Sequence, residues 1–141
     1  LSIESENILA FTPDCKYDVR FIGCGVISQK GLATSTLTGT GPNAYVAILI
    51  DGNPIVLSNV QTGSTLAVDP DAVVCWMGNG YCDPDIKMDI NWKTFIGQTS
   101  GESYSFEWNA RQPVTVIIQP NERASGISLG MDGGRLGHRP N

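Results

Sequence analysis

The feature that most constrains this chain is that it repeats itself. Leu1-Ser2-Ile3-Glu4-Ser5-Glu6-Asn7-Ile8-Leu9-Ala10-Phe11 lines up with Leu66-Ala67-Val68-Asp69-Pro70-Asp71-Ala72-Val73-Val74-Cys75-Trp76. Apolar residues match apolar, acid matches acid, and an aromatic closes each copy. Further on, Cys15 meets Cys82, and Asp18-Val19-Arg20 meets Asp85-Ile86-Lys87. Phe21-Ile22-Gly23 echoes Phe95-Ile96-Gly97, and residues 37–48 around Pro42 parallel residues 108–119 around Pro113. The offset starts at about 65, passes through about 74 at the Phe-Ile-Gly pairs and is about 71 at the prolines, so loops differ in both directions. A period near 70 is too long for a solenoid or a propeller blade. It suits two equivalent half-barrels or sheets packed about a pseudo-twofold axis, an arrangement that removes or shortens exposed strand edges.

The material between the breaks reads as strand. Glycines (16) and prolines (8) are spread throughout, leaving few stretches long enough for a helix interior. Tyr17-Asp18-Val19-Arg20-Phe21-Ile22 alternates, Ala33-Thr34-Ser35-Thr36-Leu37-Thr38 more weakly. Ile86-Lys87-Met88-Asp89-Ile90 and Glu102-Ser103-Tyr104-Ser105-Phe106-Glu107-Trp108 alternate cleanly. Period two over such lengths predicts half-buried strands. Residues 44–50 and 114–118 are nearly continuous apolar runs, which predicts central strands covered on both faces. Asp51-Gly52 and Asn79-Gly80 are hairpin-turn pairs. Roughly ten strands with almost no helix is the expectation: an all-β antiparallel sandwich or barrel of two pseudo-equivalent repeats. The 141 residues suit one domain, residues 1–134, with repeats at about 1–62 and 63–130 and a flexible tail at 135–141. The abrupt start at Leu1 predicts a chain trimmed from a longer parent, so a targeting segment is not observable.

Charge and side-chain chemistry exclude more than they suggest. The net charge is −5, with only nine Lys plus Arg and no basic cluster, which argues against nucleic acid as a partner. The apolar run at 44–50 is far too short for a membrane-crossing helix. The single histidine, His138, sits in a Gly-, Arg- and Pro-rich tail, so Ser-His-Asp, Cys-His and His-metal sites are not expected. Gly39-Thr40-Gly41-Pro42-Asn43-Ala44 fits a dinucleotide fingerprint only superficially, because a strand rather than a helix follows it. Gly97-Gln98-Thr99-Ser100-Gly101 places its serine one position too late for a nucleophile elbow. Cys15, Cys24, Cys75 and Cys82 have no zinc-ligand spacing and read as mostly buried thiols, with a Cys75–Cys82 bridge as the alternative. Asp69-Pro70-Asp71 and Asp83-Pro84-Asp85 are turn carboxylates without a calcium-loop signature.

Several segments together resemble the altered-inheritance-of-mitochondria protein twenty-four family. They are Leu37-Thr38-Gly39-Thr40-Gly41-Pro42, the run from Gly63-Ser64-Thr65 through Val68-Asp69-Pro70-Asp71-Ala72 to Trp76, Ser100-Gly101-Glu102, and Val116-Ile117-Ile118-Gln119-Pro120. The resemblance spans about residues 5–134. It implies a fold similar to the tryptophan RNA-binding attenuation protein, and it brings no catalytic residues to carry over. Mitochondrial members are implicated in inner-membrane organisation, which implies scaffolding.

The expectation is therefore a non-catalytic assembly domain acting through protein partners or self-association. It needs no cofactor or metal, and peripheral membrane association is compatible with it. The compartment is cytoplasmic for a prokaryotic source and mitochondrial for a eukaryotic one. The alternative is a small-ligand binding module with a pocket between the halves. Trp76, Trp92 and Trp108 would line that pocket, and Asp69 and Asp71 would stand at its rim.

Overall fold

The computed structural model describes residues 1–22, 32–88 and 104–120. Trp92, Cys24, His138, the Phe95-Ile96-Gly97 echo and the loop at 97–101 lie outside the described residues. The first copy runs β1 (Ser2–Ile3), a 3-10 turn (Ser5–Asn7), β2 (Ile8–Phe11), β3 (Cys15–Ile22), β4 (Leu32–Gly39) and β5 (Val46–Ile48). After β6 (Ile55–Ser58) and the single-turn α1 (Asn59–Thr62) come β7 (Leu66–Val68), a second 3-10 turn (Pro70–Ala72), β8 (Val73–Met77), β9 (Asp85–Met88), β10 (Tyr104–Trp108) and β11 (Thr115–Ile118). The protein is all-β and antiparallel. Local chemistry sets the punctuation: Asp69 caps the second 3-10 turn by accepting the Asp71 N–H at 3.0 Å, with Pro70 preset for the turn. Gly63, at φ 65°, closes α1 in the left-handed region.

The strands form a six-stranded sheet in the order β3-β4-β1-β8-β11-β6, a three-stranded sheet β7-β10-β9, and a β2-β5 ribbon. Strand succession and register recur. Ile3 stands opposite Ser35 as Val68 stands opposite Phe106, and Asp18 opposite Thr36 as Asp85 opposite Glu107. β2 and β5 pair Ile8 with Ile48 and Ala10 with Ala47, skipping Leu9; β8 and β11 pair Val73 with Ile118 and Cys75 with Ile117, skipping Val74. The register thus sets Val46 against Val116, one residue away from the match drawn through Pro42 and Pro113. β8 and β11, from the second copy, complete the sheet begun by β3, β4 and β1 of the first.

Across the six-stranded sheet runs one row of paired residues: Asp18, Thr36, Ser2, Trp76, Val116 and Leu57. The inner part of this face packs against the three-stranded sheet. The core between them holds Ile22, Val68, Val73, Trp76, Cys82, Phe106, Trp108, Val114 and Val116. Trp108 is fully buried, 5.7 Å from Trp76 and edge-on to Phe106 at 6.1 Å between ring centroids. Each such aromatic contributes roughly 2–3 kcal/mol through burial.

Three expectations change. The apolar run at 44–50 is not a central strand among the described residues: only Val46–Ile48 pairs, on one side, with β2, and Tyr45 and Leu49 are exposed. The run at 114–118, by contrast, gives β11, flanked by β8 and β6. Gly52 and Gly80 do turn the chain with φ of 82° and 81°, but neither turn joins a hairpin. β5 and β6 pair with different strands, as do β8 and β9, because each turn carries the chain from one sheet to another. Finally, β3 alternates as expected yet shows its apolar side to solvent: Tyr17, Val19 and Phe21 are 45, 48 and 64% exposed. Its intervening residues Arg20 and Ile22 are the ones turned towards the core side.

Candidate functional site

Two features stand out: the surroundings of Trp76 and the outer edge of β3. Trp76 sits near the end of β8, opposite Ser2 on β1 and Val116 on β11. Its indole is the wall shared by two hollows. The smaller, about 80 Å³, is lined by Glu4, Thr34, Asp71, Val74 and Tyr104 among others. The larger, about 340 Å³, is an open cleft between Ser2, Thr36 and Thr38 on the sheet and Asn79, Tyr81 and Cys82 on the β8–β9 loop. Among the described residues, no charged side chain lines it. Thr34, Thr36 and Thr38 alternate along one side of β4, so Trp76 divides the two hollows along that row.

Trp76 is 5% exposed, and its buried Nε1–H has no hydrogen-bond partner among the described residues. A buried indole donor left unpaired costs about 1–3 kcal/mol. Trp108 shows the contrast, since its Nε1 donates to the Cys82 carbonyl at 2.8 Å. The loop that roofs the cleft is tied down from the far edge of the sheet. Arg20 donates to Asp83, bonds Thr36 Oγ1 at 3.2 Å through Nε, and lies 3.8 Å over the Tyr81 ring. Gly78 starts that loop in a space where a Cβ would meet Cys82 Sγ at 2.7 Å and the Pro113 carbonyl at 2.8 Å.

The five residues singled out in the sequence are therefore not gathered into one site. Trp76 and Asp71 share the smaller hollow, where residues of both copies meet. Asp69 is exposed, spends its carboxylate on the 3-10 turn and borders neither described hollow. Trp108 is a satisfied core residue and cannot touch a ligand. Trp92 lies outside the described residues. Sequence reasoning missed Arg20, Tyr81 and Asp83 as a unit. Its only trace in the chain is an arginine in a strand otherwise marked by aromatics.

Cys15, Cys75 and Cys82 are free thiols. Burial pushes the Cys75 thiol up to about 11 and raises that of Cys82 as well, so both stay protonated at neutral pH. Among the described residues no group of three or more His, Cys, Asp or Glu is placed to hold a metal ion, and no helix is long and apolar enough to cross a membrane.

The second feature is an edge. β3 ends the six-stranded sheet, pairing with β4 on one side only among the described strands. Phe11, 43% exposed, stacks on Tyr17 at 6.1 Å with rings 9° from parallel, extending the apolar row of Tyr17, Val19 and Phe21. The Val19 N–H is held by the carboxylate of Asp18 at 2.8 Å. That carboxylate occupies a backbone donor where a neighbouring strand would otherwise stand.

Taken together, these describe an all-β, antiparallel protein with buried, protonated Cys75 and Cys82 thiols and an apolar sheet edge. The chain belongs to the family described as mitochondrial biogenesis AIM24, whose model matches residues 1–121. No curated protein and no solved structure matches it.

Proposed function

We propose that this chain is a non-catalytic assembly domain that acts through protein–protein contacts. The observation that carries the reading is the outer strand β3, with Tyr17, Val19 and Phe21 in line and Phe11 stacked beside them, all on the solvent side. Edge strands are ordinarily blunted by charge, proline or shortness, because an open apolar edge recruits other strands. β3 is among the longest strands described, and its side carrying Tyr17, Val19 and Phe21 is wholly apolar. An apolar row of this kind marks an interaction surface. The family description, with its link to mitochondrial biogenesis, is compatible with such a role. In native mass spectrometry we expect a discrete multimer that Phe21→Lys shifts towards monomer without loss of strand signal in circular dichroism. A protein that is monomeric at every concentration and retains no partner on purification removes the reading.

A second reading has its own observation. The Trp76 Nε1–H, without a partner among the described residues and set between two hollows, suits a small uncharged ligand that presents an acceptor, with the 340 Å³ cleft as the way in. Ligand binding there shifts the emission of wild-type protein, and Trp76→Phe abolishes the shift. If neutral metabolites leave the emission unchanged across broad pools, the cleft is solvent space and the donor is served by water.

A further inference from the structure

The β3 edge carries more than an apolar row, because its charges are arranged for a partner of one particular kind. Along β3 the order is Lys16, Tyr17, Asp18, Val19, Arg20, Phe21, Ile22. Tyr17, Val19 and Phe21 share one side of the strand and Asp18 and Arg20 the other. Consider this strand laid antiparallel against a copy of itself about a twofold axis through Val19. Tyr17 then stands opposite Phe21 of the second copy, Asp18 opposite Arg20, and Val19 opposite Val19. The aromatic pair and the ion pair are each made twice by symmetry, as an isologous contact requires. Neighbouring registers lose this match. Centring on Asp18 sets Asp18 on Asp18, and centring on Arg20 sets Arg20 on Arg20. Centring on Tyr17 spans only residues 15–19 and leaves Phe21 without a mate.

We infer that a second copy of this chain docks on β3 by antiparallel pairing centred on Val19, joining two six-stranded sheets edge to edge. The inference rests on the assembly reading and names its partner. The backbone is ready for it. The Val19 N–H, bonded to Asp18 Oδ1 at 2.8 Å, exchanges that carboxylate for the Val19 carbonyl of the second copy. The freed Asp18 turns to Arg20 of the second copy. Arg20 keeps its bond to Asp83 and its place over Tyr81, so it is already held in position rather than recruited from solvent. An inward charge on an edge strand ordinarily repels other strands; here it rejects wrong registers and admits one.

Cysteine pairing reads the register directly, since directly opposite residues in such a pair have Cα atoms about 4.5–5.5 Å apart, within disulfide reach. Under mild oxidation Val19→Cys is expected to give a disulfide-linked dimer well above the wild-type background. A mixture of Tyr17→Cys and Phe21→Cys chains is expected to cross-link, while neither does so alone. Asp18→Arg, at an exposed position, is expected to weaken the dimer about tenfold, because two attractive pairs become repulsive. A wild-type multimer in which Val19→Cys stays unlinked overturns this inference and leaves the assembly reading standing. Cross-linking of Tyr17→Cys with itself overturns the register. A chain that is monomeric and unlinked throughout overturns both.

Discussion

Asn59 shows how much a single polar side chain can hold. It is 1% exposed, and its amide meets three backbone groups of the segment between β10 and β11. Nδ2 donates to the carbonyls of Asn109 at 3.0 Å and Gln112 at 2.6 Å, and Oδ1 accepts the Val114 N–H at 2.9 Å. The side chain thus stands in for a strand partner just before β11 enters the sheet. Asn59→Ala leaves one donor and two acceptors without their partner, each worth roughly 1–3 kcal/mol when buried; with local relaxation the expected loss is about 3 kcal/mol. Asn59→Asp keeps the shape but sets a carboxylate against two carbonyl oxygens, and is expected to cost at least as much. Denaturant titration checks both: the midpoint should fall while the slope stays constant. An Asn59→Ala protein within about 0.5 kcal/mol of wild type means that water replaces the amide. Trp76 and Trp108 illustrate the same accounting, for one indole donor is satisfied and the other has no partner among the described residues.

At the level of elements, strands were legible where one face of the chain is buried. Tyr104, Phe106 and Trp108 alternate because β10 lies on the core, and the eye finds β10 for that reason. β3 alternates too, so its existence was readable, but its orientation was not. Alternation reports two faces and is silent about which one a neighbouring sheet covers. The run at 44–50 misled in a related way. A continuous apolar stretch predicts burial on both sides only if strands exist on both sides, and β5 has β2 alone among the described strands. The Asp51-Gly52 and Asn79-Gly80 pairs fixed the sense of each turn through a positive φ on glycine. They carried no information about the partner of the next strand, which depends on contacts far away in sequence. The candidate site was legible only at Trp76 and Asp71, which follow a conspicuous apolar run and a proline turn. The Arg20, Tyr81 and Asp83 unit joins residues some sixty positions apart in sequence, and no local pattern announces it. Asn59 escaped for the same reason: a buried asparagine looks like any turn asparagine until its backbone partners are placed.

For the whole molecule, the decisive fact is that the two copies exchange strands. β8 lies between β1 of the first copy and β11 of its own, and β11 in turn supplies the only described partner of β6. The six-stranded sheet is therefore not the property of either copy, and neither is the core, where Ile22 meets Trp76, Phe106 and Val116. A fragment of residues 1–62 keeps the β3-β4-β1 and β2-β5 pairings but opens the edge of β1 that pairs with β8 and strips β6 of its described partner. A fragment of residues 63–141 keeps β7-β10-β9 and β8-β11 but opens the edge of β8, whose Cys75 side chain is fully buried when β1 is present. Each piece alone buries too little apolar surface to offset the entropy of ordering its short strands. The break itself falls at the exposed end of α1, between its last residue Thr62 and the capping Gly63. We expect neither fragment to unfold cooperatively by itself, and an equimolar mixture to regain strand circular dichroism and a one-to-one complex in native mass spectrometry. Cooperative unfolding of the 63–141 fragment alone would mean that the second copy is a self-sufficient domain and that the exchange of strands decorates its edge. Reconstitution only from the mixture would mean that the sequence repeat folds as one unit, with each copy supplying strands that the other cannot do without.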